Sequence, residues 1–230
     1  MENWLDRTKN LIGKKALERL QKSNILIIGL GGVGSFCAEA IARAGINNIT
    51  LIDNDTVSIT NLNRQLIADT TTINSLKTDI MRERILKINP TAKITTHSIF
   101  INEENIPEYI TTNYDYVIDC IDSVPSKIAI IKYCKEINIP IISSMGTGNK
   151  LHPSKLEIND ISKTSVCPLA RTIRKKLTEL NIRNLKVVFS TELPIVENNK
   201  STTPSSISFV PSVAGLLLTS EVVNDLIKNV

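Results

Sequence analysis

A glycine-rich segment near the start of the chain is the clearest candidate for chemistry. Residues 29–34 read GLGGVG and fit the pattern G-x-G-x-x-G. An apolar run, Asn24–Leu30, precedes the motif, and a helical pattern, Ser35–Ala44, follows it. In this setting glycines allow a tight turn and close backbone approach, while helix N–H groups face a phosphate. The segment therefore predicts a nucleotide site. Its glycines are Gly29, Gly31, Gly32 and Gly34.

The next acidic position supports the same site. A second apolar run, Asn48–Asn54, carries Asp53 near its end, 19 residues after Gly34. A carboxylate there accepts hydrogen bonds from ribose hydroxyls. The glycines and the acid together do not choose between NAD and ATP. The chain contains no G-x-x-x-x-G-K-[ST] segment, so a P-loop enzyme is not indicated.

Cations beyond the acid indicate how a phosphate chain would be used. Asn61, Arg64 and Gln65 come next, and Lys77 falls in the first turn of a predicted helix, Ser75–Asn89. A cation there opposes the helix dipole at a cost of about 0.3–1 kcal/mol if exposed, and a bound anion would reverse the sign. An enzyme that cleaves ATP between the α and β phosphates must stabilise departing pyrophosphate. Arg64, Lys77 and an Asp-held Mg²⁺ suit that task.

The candidate metal ligand is an aspartate at the end of another predicted strand. Asp122 closes the pattern Tyr114–Ser123, at the carboxyl edge where open α/β sheets bind ligands. Asp119 lies three residues earlier, so strand alternation places the two carboxylates on opposite faces. We therefore expect Asp122 to bind Mg²⁺ and Asp119 to be a structural hydrogen-bonding group.

Alternating strand and helix patterns must position these residues. Further strands are predicted at Lys93–Ile101, Pro140–Gly146, Lys155–Ile158 and Lys186–Ser190, and further helices at Pro125–Ile137, Pro168–Leu180 and Val213–Lys228. The alternation predicts an α/β fold with a Rossmann-like, mostly parallel sheet and helices on both faces.

The chain shows no internal repeat and no clear linker, so one domain is expected over residues 1–230. Within it we expect an N-terminal arm and helix (1–23), a nucleotide-binding core (24–150) and a less regular part for substrate and dimer contacts (151–230). The polar stretch Pro194–Ser206 contains prolines and is predicted to be a mobile loop.

Composition excludes several classes of protein. Hydrophobic residues make up 42% and charged residues 22% of 230 residues, which is typical of a globular protein rather than a disordered one. Aromatic residues are only 4%, which argues against a single-strand binder built on stacking. No two of the four cysteines form Cys-x-x-Cys, so zinc is not expected.

The compartment follows from the two ends of the chain. The start, MENWLDRTKN, lacks the apolar core of a signal peptide. The run Phe209–Leu218 contains Pro211 and Ser212 and is shorter than the roughly 20 residues that a membrane span needs. We therefore expect a cytoplasmic protein with no integral membrane segment.

The chemistry-bearing residues resemble the adenylating superfamily that includes ubiquitin-activating enzymes and the activators of bacterial sulfur-carrier proteins. The matching positions are GLGGVGS (29–35), Asp53, Asp55, Asn61, Arg64, Gln65, Lys77 and Asp122. The resemblance implies that Asp53 binds the ATP ribose, that Asn61, Arg64 and Lys77 hold the phosphates, and that Asp122 binds Mg²⁺. It also implies a homodimer in which Arg7 reaches into the partner subunit's site.

Within this superfamily the chain is most similar to the tRNA threonylcarbamoyladenosine dehydratases. The similar segments are 6–13, 144–148, 160–171, 188–194 and 206–218, which with the nucleotide motifs span nearly the whole chain. The resemblance implies that ATP adenylates the carboxylate of threonylcarbamoyladenosine in tRNA, and that a nitrogen of the modification then closes a ring. The expected products are the cyclic nucleoside, AMP and pyrophosphate.

Two other functions stay open. The first is an activator of a ubiquitin-like sulfur carrier, in which Cys167, at the start of a predicted helix, could be reactive; we favour a non-catalytic role. The second is a non-catalytic NAD-binding domain. Charge favours an RNA substrate, because residues 150–186 hold nine Lys or Arg and three Asp or Glu. Four of these cations, Arg171, Arg174, Lys175 and Lys176, belong to one predicted helix.

Overall fold

A computed structural model describes residues 3–195, 204–228 and 230. In this part of the chain seven strands form one sheet flanked by helices, so the predicted α/β fold is confirmed. The strands are β1 (Asn24–Ile28), β2 (Asn48–Ile52), β3 (Lys93–His97), β4 (Tyr116–Asp119), β5 (Ile141–Ser144), β6 (Leu156–Asp160) and β7 (Lys186–Ser190).

Strand order places a ligand crevice near the centre of the sheet. The order is β3-β2-β1-β4-β5-β7-β6, in which every neighbouring pair is parallel except β6 with β7. Parallel strands covered on both faces read as continuous apolar runs, and β1 is buried along almost its whole length. The chain places β2 and β3 on one side of β1, and then crosses to place β4 and β5 on the other side. Open α/β sheets bind ligands outside the carboxyl ends of the strands at such a point.

The helices cover both faces of the sheet and bury a separate apolar core on each. One core contains side chains of α2, α3, α4 and α8, and the other contains side chains of α5, α6 and α7. The helices are α1 (Asp6–Ile12), α2 (Lys14–Lys22), α3 (Gly34–Arg43), α4 (Lys77–Ile88), α5 (Ile106–Tyr109), α6 (Val124–Glu136), α7 (Pro168–Glu179) and α8 (Phe209–Ile227).

The longest helix was predicted too short. We expected it to begin at Val213, but α8 begins at Phe209 and contains Pro211 in its first turn. Proline is tolerated there because the first N–H groups of a helix have no partner within the helix. Two strands show the opposite error. We expected strands over Lys93–Ile101 and Tyr114–Ser123, but β3 ends at His97 and β4 ends at Asp119.

The length of α8 changes the membrane argument. With 19 residues and a mean hydropathy of 1.3, it is the one helix in the described ranges that is long and apolar enough to span a bilayer. Our argument that this apolar segment is too short was therefore wrong. Half of its most apolar window is nevertheless buried against the rest of the protein, as in a core helix. A Cβ on Gly215 would lie 2.3 Å from the carbonyl oxygen of Val33, so α8 crosses close to the start of α3.

The predicted loop Pro194–Ser206 falls largely outside the described residues, because positions 196–203 are not among them. The residues on either side of this gap approach the segment after β5. The backbone N–H groups of Ile195 and Asn149 donate to the carbonyl oxygens of Asn149 and Ser205, respectively. The chain around the gap therefore borders the carboxyl edge of the sheet.

Candidate active site

A cleft of about 840 Å³ opens at the carboxyl ends of the central strands. Its walls come from segments that follow β1, β2, β4 and β5, and from the start of α8. It contains every residue that we predicted to bind nucleotide or metal except Gly34 and Arg7, and those that line it are Gly29, Gly31, Gly32, Asp53, Asp55, Asn61, Arg64, Gln65, Lys77 and Asp122.

Three glycine positions in the turn after β1 leave little or no room for a side chain. Gly29 has φ +90°, a conformation that residues with a Cβ rarely adopt. A Cβ on Gly34 would lie 1.7 Å from the carbonyl oxygen of Gly29, and one on Gly32 would lie 3.0 Å from Cβ of Pro211. Glycine therefore allows a tight turn at the start of α3, where Gly29, Gly31 and Gly32 line the cleft and backbone N–H groups could approach a phosphate.

Asp53 holds the glycine turn and faces the cleft. Its Oδ2 accepts from the N–H of Leu30 at 2.6 Å, and its Oδ1 accepts from the N–H of Asp55 at 2.8 Å. Burial raises the pKa of the Asp53 carboxyl above its ordinary value, although Lys77 and the two N–H donors act in the opposite direction. Two backbone N–H groups thus fix the orientation of the Asp53 carboxylate in the absence of a ligand.

Lys77 is not the isolated cation that the sequence argument assumed. Its Nζ lies 2.7 Å from Oδ2 of Asp55 and 3.9 Å from Oδ1 of Asp53. The ammonium group is nearly buried, whereas the side chain of Asp55 is 57% exposed. The two aspartates offset the unfavourable position of Lys77 at the start of α4. A phosphate at this point would meet an ammonium whose main partner is open to solvent.

The segment after β2 supplies the remaining phosphate candidates. Arg64 is partly buried, and its guanidinium donates to the carbonyl oxygen of Thr60 and to Oδ1 of Asn63. Asn61 is buried and its Oδ1 accepts from the N–H of Ser58, so it also closes a turn. In the described residues, Oε1 of Gln65 is buried without a hydrogen-bond partner. That oxygen at the cleft wall is free to accept from a ligand.

The two aspartates near β4 lie in different environments. Asp119 is fully buried, and its Oδ2 accepts from Nζ of Lys127 at 2.7 Å and from Oγ of Ser143. Asp122 does not close the strand as predicted: it lies three residues past the end of β4, exposed on the cleft wall. Asp119 is thus a structural group, as we expected, and Asp122 is an exposed carboxylate in the same cleft as the glycine turn.

Sequence reasoning missed part of the cleft wall. Phe100 is 55% exposed and lines the cleft beyond the end of β3, where we had extended the strand. The segment Ser144–Gly148 lines it beyond β5. We had used that segment only as a point of resemblance. Two glycines directly after a parallel strand, at the same sheet edge as the first motif, were the signal that could have identified it.

Arg7, which we predicted to be catalytic, and Cys167, for which we favoured a non-catalytic role, both lie away from the cleft. Arg7 is exposed on α1 and does not line the cleft of its own chain. Cys167 is buried, with its Sγ 3.5 Å from the position that a Cβ on Gly146 would occupy. In the described ranges, no group of three or more His, Cys, Asp or Glu side chains is arranged to hold a metal ion. One carboxylate such as that of Asp122 is still compatible with Mg²⁺, which usually takes one or two carboxylates plus substrate phosphates.

The fold and the cleft are those of an adenylating α/β protein, with a glycine turn, the acid Asp53 and the cations Arg64 and Lys77 in one cleft at the carboxyl edge of the sheet. Residues 5–229 match the ThiF family, and the chain belongs to that family. The resemblance to the adenylating superfamily is therefore confirmed.

Particular relatives narrow the class. The chain is 42% identical, over 246 aligned residues, to the tRNA threonylcarbamoyladenosine dehydratase of Bacillus subtilis, with 100% of this chain and 97% of the relative covered. It is similar, with a TM-score of 0.91 and 35% identity, to a crystal structure of the E. coli tRNA N6-threonylcarbamoyladenosine dehydratase in complex with ATP, covering 96% and 93% of the two chains. A molybdopterin-synthase adenylyltransferase of Haemophilus influenzae is 36% identical over 126 residues, which cover 55% of this chain and 51% of that protein.

Proposed function

We propose that this protein is an ATP-dependent tRNA threonylcarbamoyladenosine dehydratase. It adenylates the side-chain carboxylate of the modified nucleoside and then closes the ring, releasing AMP and pyrophosphate. The observation that carries the proposal is that Arg64, Lys77 and Asp122 line the same cleft as the glycine turn, in a chain whose full-length relative has that name. These groups are suited to cleaving a triphosphate rather than retaining a dinucleotide.

The proposed reaction has two steps. A carboxylate oxygen attacks the α-phosphorus of ATP, the bond from that phosphorus to the bridging oxygen breaks, and pyrophosphate leaves. A nitrogen of the modification then attacks the acyl carbon, loses its proton, and displaces AMP. In the first step negative charge develops on the leaving pyrophosphate, where Arg64 and Lys77 act as electrostatic stabilisers.

The residues of the nucleotide end have separate tasks. The N–H groups of the turn at Gly29–Gly34 face the phosphates, and Asp53 accepts from the ribose. Asn61, Asp55 and Gln65 also belong to the nucleotide-binding site. Lys77 moves from Asp55 toward the phosphate oxygens when ATP binds. Asp122 is the proposed ligand of Mg²⁺, which when bound would neutralise charge on the phosphates.

The basic helix α7 is proposed to contact tRNA, but with fewer residues than we expected. Arg174 donates to the carbonyl oxygen and Oγ1 of Thr164, and Lys176 pairs with Glu179. Arg171 and Lys175 remain exposed on one face, four residues apart. Because α7 begins beside the cleft wall at Leu169, these cations suit phosphates that flank a nucleoside in the cleft.

The remaining parts of the proposal concern assembly and location. Residues 1–230 act as a single adenylating domain, with residues 151–230 completing the substrate side. Two copies form a homodimer, and Arg7 of each reaches the site of the other, which accounts for its distance from the cleft of its own chain. The protein is cytoplasmic, with α8 acting as a core helix and no integral membrane segment.

A sulfur-carrier activator is the alternative, favoured by the similarity to the molybdopterin-synthase adenylyltransferase. That function would use Cys167 as a nucleophile or sulfur acceptor. The thiol is buried behind Gly146 and does not line the cleft, which favours the dehydratase. Replacement of Cys167 by alanine should therefore leave AMP formation intact.

The test is AMP formation by the purified protein with ATP, Mg²⁺ and tRNA. We expect turnover with tRNA that carries threonylcarbamoyladenosine and none with unmodified tRNA or with a small carrier protein that ends in Gly-Gly. Arg64→Ala should lose about 2.7–4 kcal/mol of transition-state stabilisation, the usual cost of removing one electrostatic donor. Equal turnover with unmodified tRNA would refute the substrate assignment.

The role of α7 has its own control. Arg171→Ala with Lys175→Ala should weaken tRNA binding and reduce the slope of log affinity against log salt by about 2, one for each phosphate contact. Lys22→Ala with Lys93→Ala removes the same charge from exposed lysines at the opposite edge of the sheet, where β1 and β3 begin. The control pair should bind tRNA as the wild type does, and an equal loss in both pairs would refute a specific role for α7.

A further inference from the structure

A buried lysine, Lys150, lies beside the segment that follows β5 at the cleft wall. Lys150 is only 3% exposed, and its Nζ donates to the carbonyl oxygen of Gly146 at 3.0 Å. Within residues 3–195, 204–228 and 230, no carboxylate oxygen lies within 4.0 Å of this ammonium group. Burial lowers the pKa of Lys150, with Cys167 and Glu192 acting in the opposite direction. Burying a cation without an anionic partner costs folding free energy, and a functional role for Lys150 would account for that cost.

The contact sets the orientation of one peptide group. The bond between Gly146 and Thr147 is trans, so its N–H points away from its C=O. The carbonyl oxygen points to Lys150, which is buried and does not line the cleft, whereas Gly146 and Thr147 do line it. The N–H of Thr147 therefore points to the cleft side. It donates to no acceptor in the described part of the chain.

The place of this N–H along the sheet edge indicates what it would meet. The strands run in the order β2, β1, β4, β5 and end in turn at Asp53, the glycine turn, the segment with Asp122, and the segment with Thr147. Ribose and phosphates occupy the first of these positions, so the carboxylate to be activated must approach from the β5 side. The exposed cations of α7 lie on that side too, since Leu169 is 3.7 Å from the Cβ position of Gly146.

We propose that Lys150 is a positioning residue that directs the N–H of Thr147 at the acyl oxygen during ring closure. The inference rests on the proposed function. When the nitrogen attacks the acyl carbon, the carbonyl oxygen becomes an oxyanion, and a preoriented N–H stabilises it. The ammonium of Lys150 on the carbonyl side of the same peptide polarises that N–H and strengthens its hydrogen bond. As the bond from the acyl carbon to AMP breaks, the electron pair of the oxyanion reforms the acyl C=O bond, and the negative charge leaves on the phosphate of AMP.

The two products separate this role from a general structural one. Pyrophosphate leaves in the adenylation step, before the oxyanion forms, and the cyclic nucleoside appears only after it. In single turnover with modified tRNA, Lys150→Met should release pyrophosphate at close to the wild-type rate. Formation of the cyclic nucleoside should slow by about 100-fold, so the acyl adenylate accumulates. Lys155→Met, the same change at a nearby exposed lysine, should leave both rates unchanged.

The result that would overturn the inference is equal slowing of both products in Lys150→Met, or no slowing of either. A second variant, Thr147→Ala, keeps the N–H and removes the hydroxyl, and it keeps the test valid if Lys150→Met does not fold. It should form the cyclic nucleoside within about threefold of the wild-type rate, and a loss above about tenfold would show that the side chain is the donor. If the wild type releases no pyrophosphate with modified tRNA, the proposed function fails instead, before any variant is compared.

Discussion

Two lysine–aspartate pairs have the same contact distance but different surroundings. Lys77 lies 2.7 Å from Asp55, and Lys127 lies 2.7 Å from Asp119. Each lysine is in the first turn of a helix that follows a strand. In the second pair neither side chain is exposed, whereas Asp55 in the first pair is 57% exposed. Only the first pair lines the cleft.

The difference in burial gives the two pairs different tasks. Lys127 also donates to Oγ of Ser143 and to the carbonyl oxygen of Ser144, so it joins β4, α6 and the end of β5. A pair so fully hydrogen-bonded and sealed from water has no reason to open. Lys77, by contrast, can exchange an exposed carboxylate for a phosphate without leaving a buried charge unpaired. We therefore infer that the sealed pair holds the site and the open pair acts in it.

The largest expected effect is on stability, and it comes from the sealed pair. Lys127→Ala would leave the carboxylate of Asp119 buried without its cation, which usually costs about 3–5 kcal/mol of unfolding free energy. Urea unfolding followed by circular dichroism measures this loss. Lys127→Met combined with Asp119→Leu removes both charges and should recover much of it. A loss below about 1 kcal/mol in the single variant would contradict the assigned structural role.

For the open pair, Lys77 and Asp55, we expect a larger effect on activity than on stability. Lys77→Ala should reduce kcat/KM for AMP formation by an amount equivalent to about 2.7–4 kcal/mol, because one donor to the departing pyrophosphate is lost. Its loss of unfolding free energy should be smaller than that of Lys127→Ala, since Asp55 is already hydrated. Asp55→Asn is the matched control, as it removes the exchangeable partner and keeps the ammonium. If Lys77→Ala destabilised the fold as much as Lys127→Ala with unchanged kinetics, the comparison would fail.

The fold and the candidate nucleotide site could be predicted from the sequence because their sequence signals are local. Glycines at Gly29–Gly34, the apolar run before them and the acid at Asp53 are separated by fixed short distances that the βαβ unit requires. The strand order around β1 and β4 then brings Asp122 to the same edge, as expected. The function that the resemblance implied agrees with the names of the relatives.

The pairing of charges was not accessible, because it depends on contacts between distant segments. Lys127 lies within an apolar helical pattern and gave no indication that it would reach Asp119 and Ser143. Lys77 was interpreted through the helix dipole alone, since no spacing rule connects it to Asp55. Lys150 was counted only as part of a basic segment, although it is buried and faces a carbonyl oxygen. Sequence thus indicates which residues can act, and packing decides which charges are free.

An ion pair near the surface should have the smallest effect on stability. Glu39 on α3 pairs with Arg84 on α4 and with Arg43, and both arginines are more than 40% exposed. Burial by itself would raise the pKa of Glu39, but hydrogen bonds and charge from the two arginines outweigh it, so the pKa lies below its ordinary value of 4.5. Glu39→Gln should therefore cost about 1 kcal/mol or less near neutral pH.

The pH dependence of that cost follows from the direction of the shift. A carboxyl whose pKa is lower in the folded state binds fewer protons there than in the unfolded state, so it stabilises the fold above pH 4.5 and loses this contribution as pH falls through the folded value. The melting temperatures of the wild type and Glu39→Gln should differ slightly at about pH 7 and converge at about pH 3, and added salt should reduce the difference at neutral pH. If Glu39→Gln lost as much unfolding free energy as Lys127→Ala, burial would not determine how strongly each ion pair contributes to stability. A difference that grows in acid would mean that the arginines do not stabilise the ionised carboxylate.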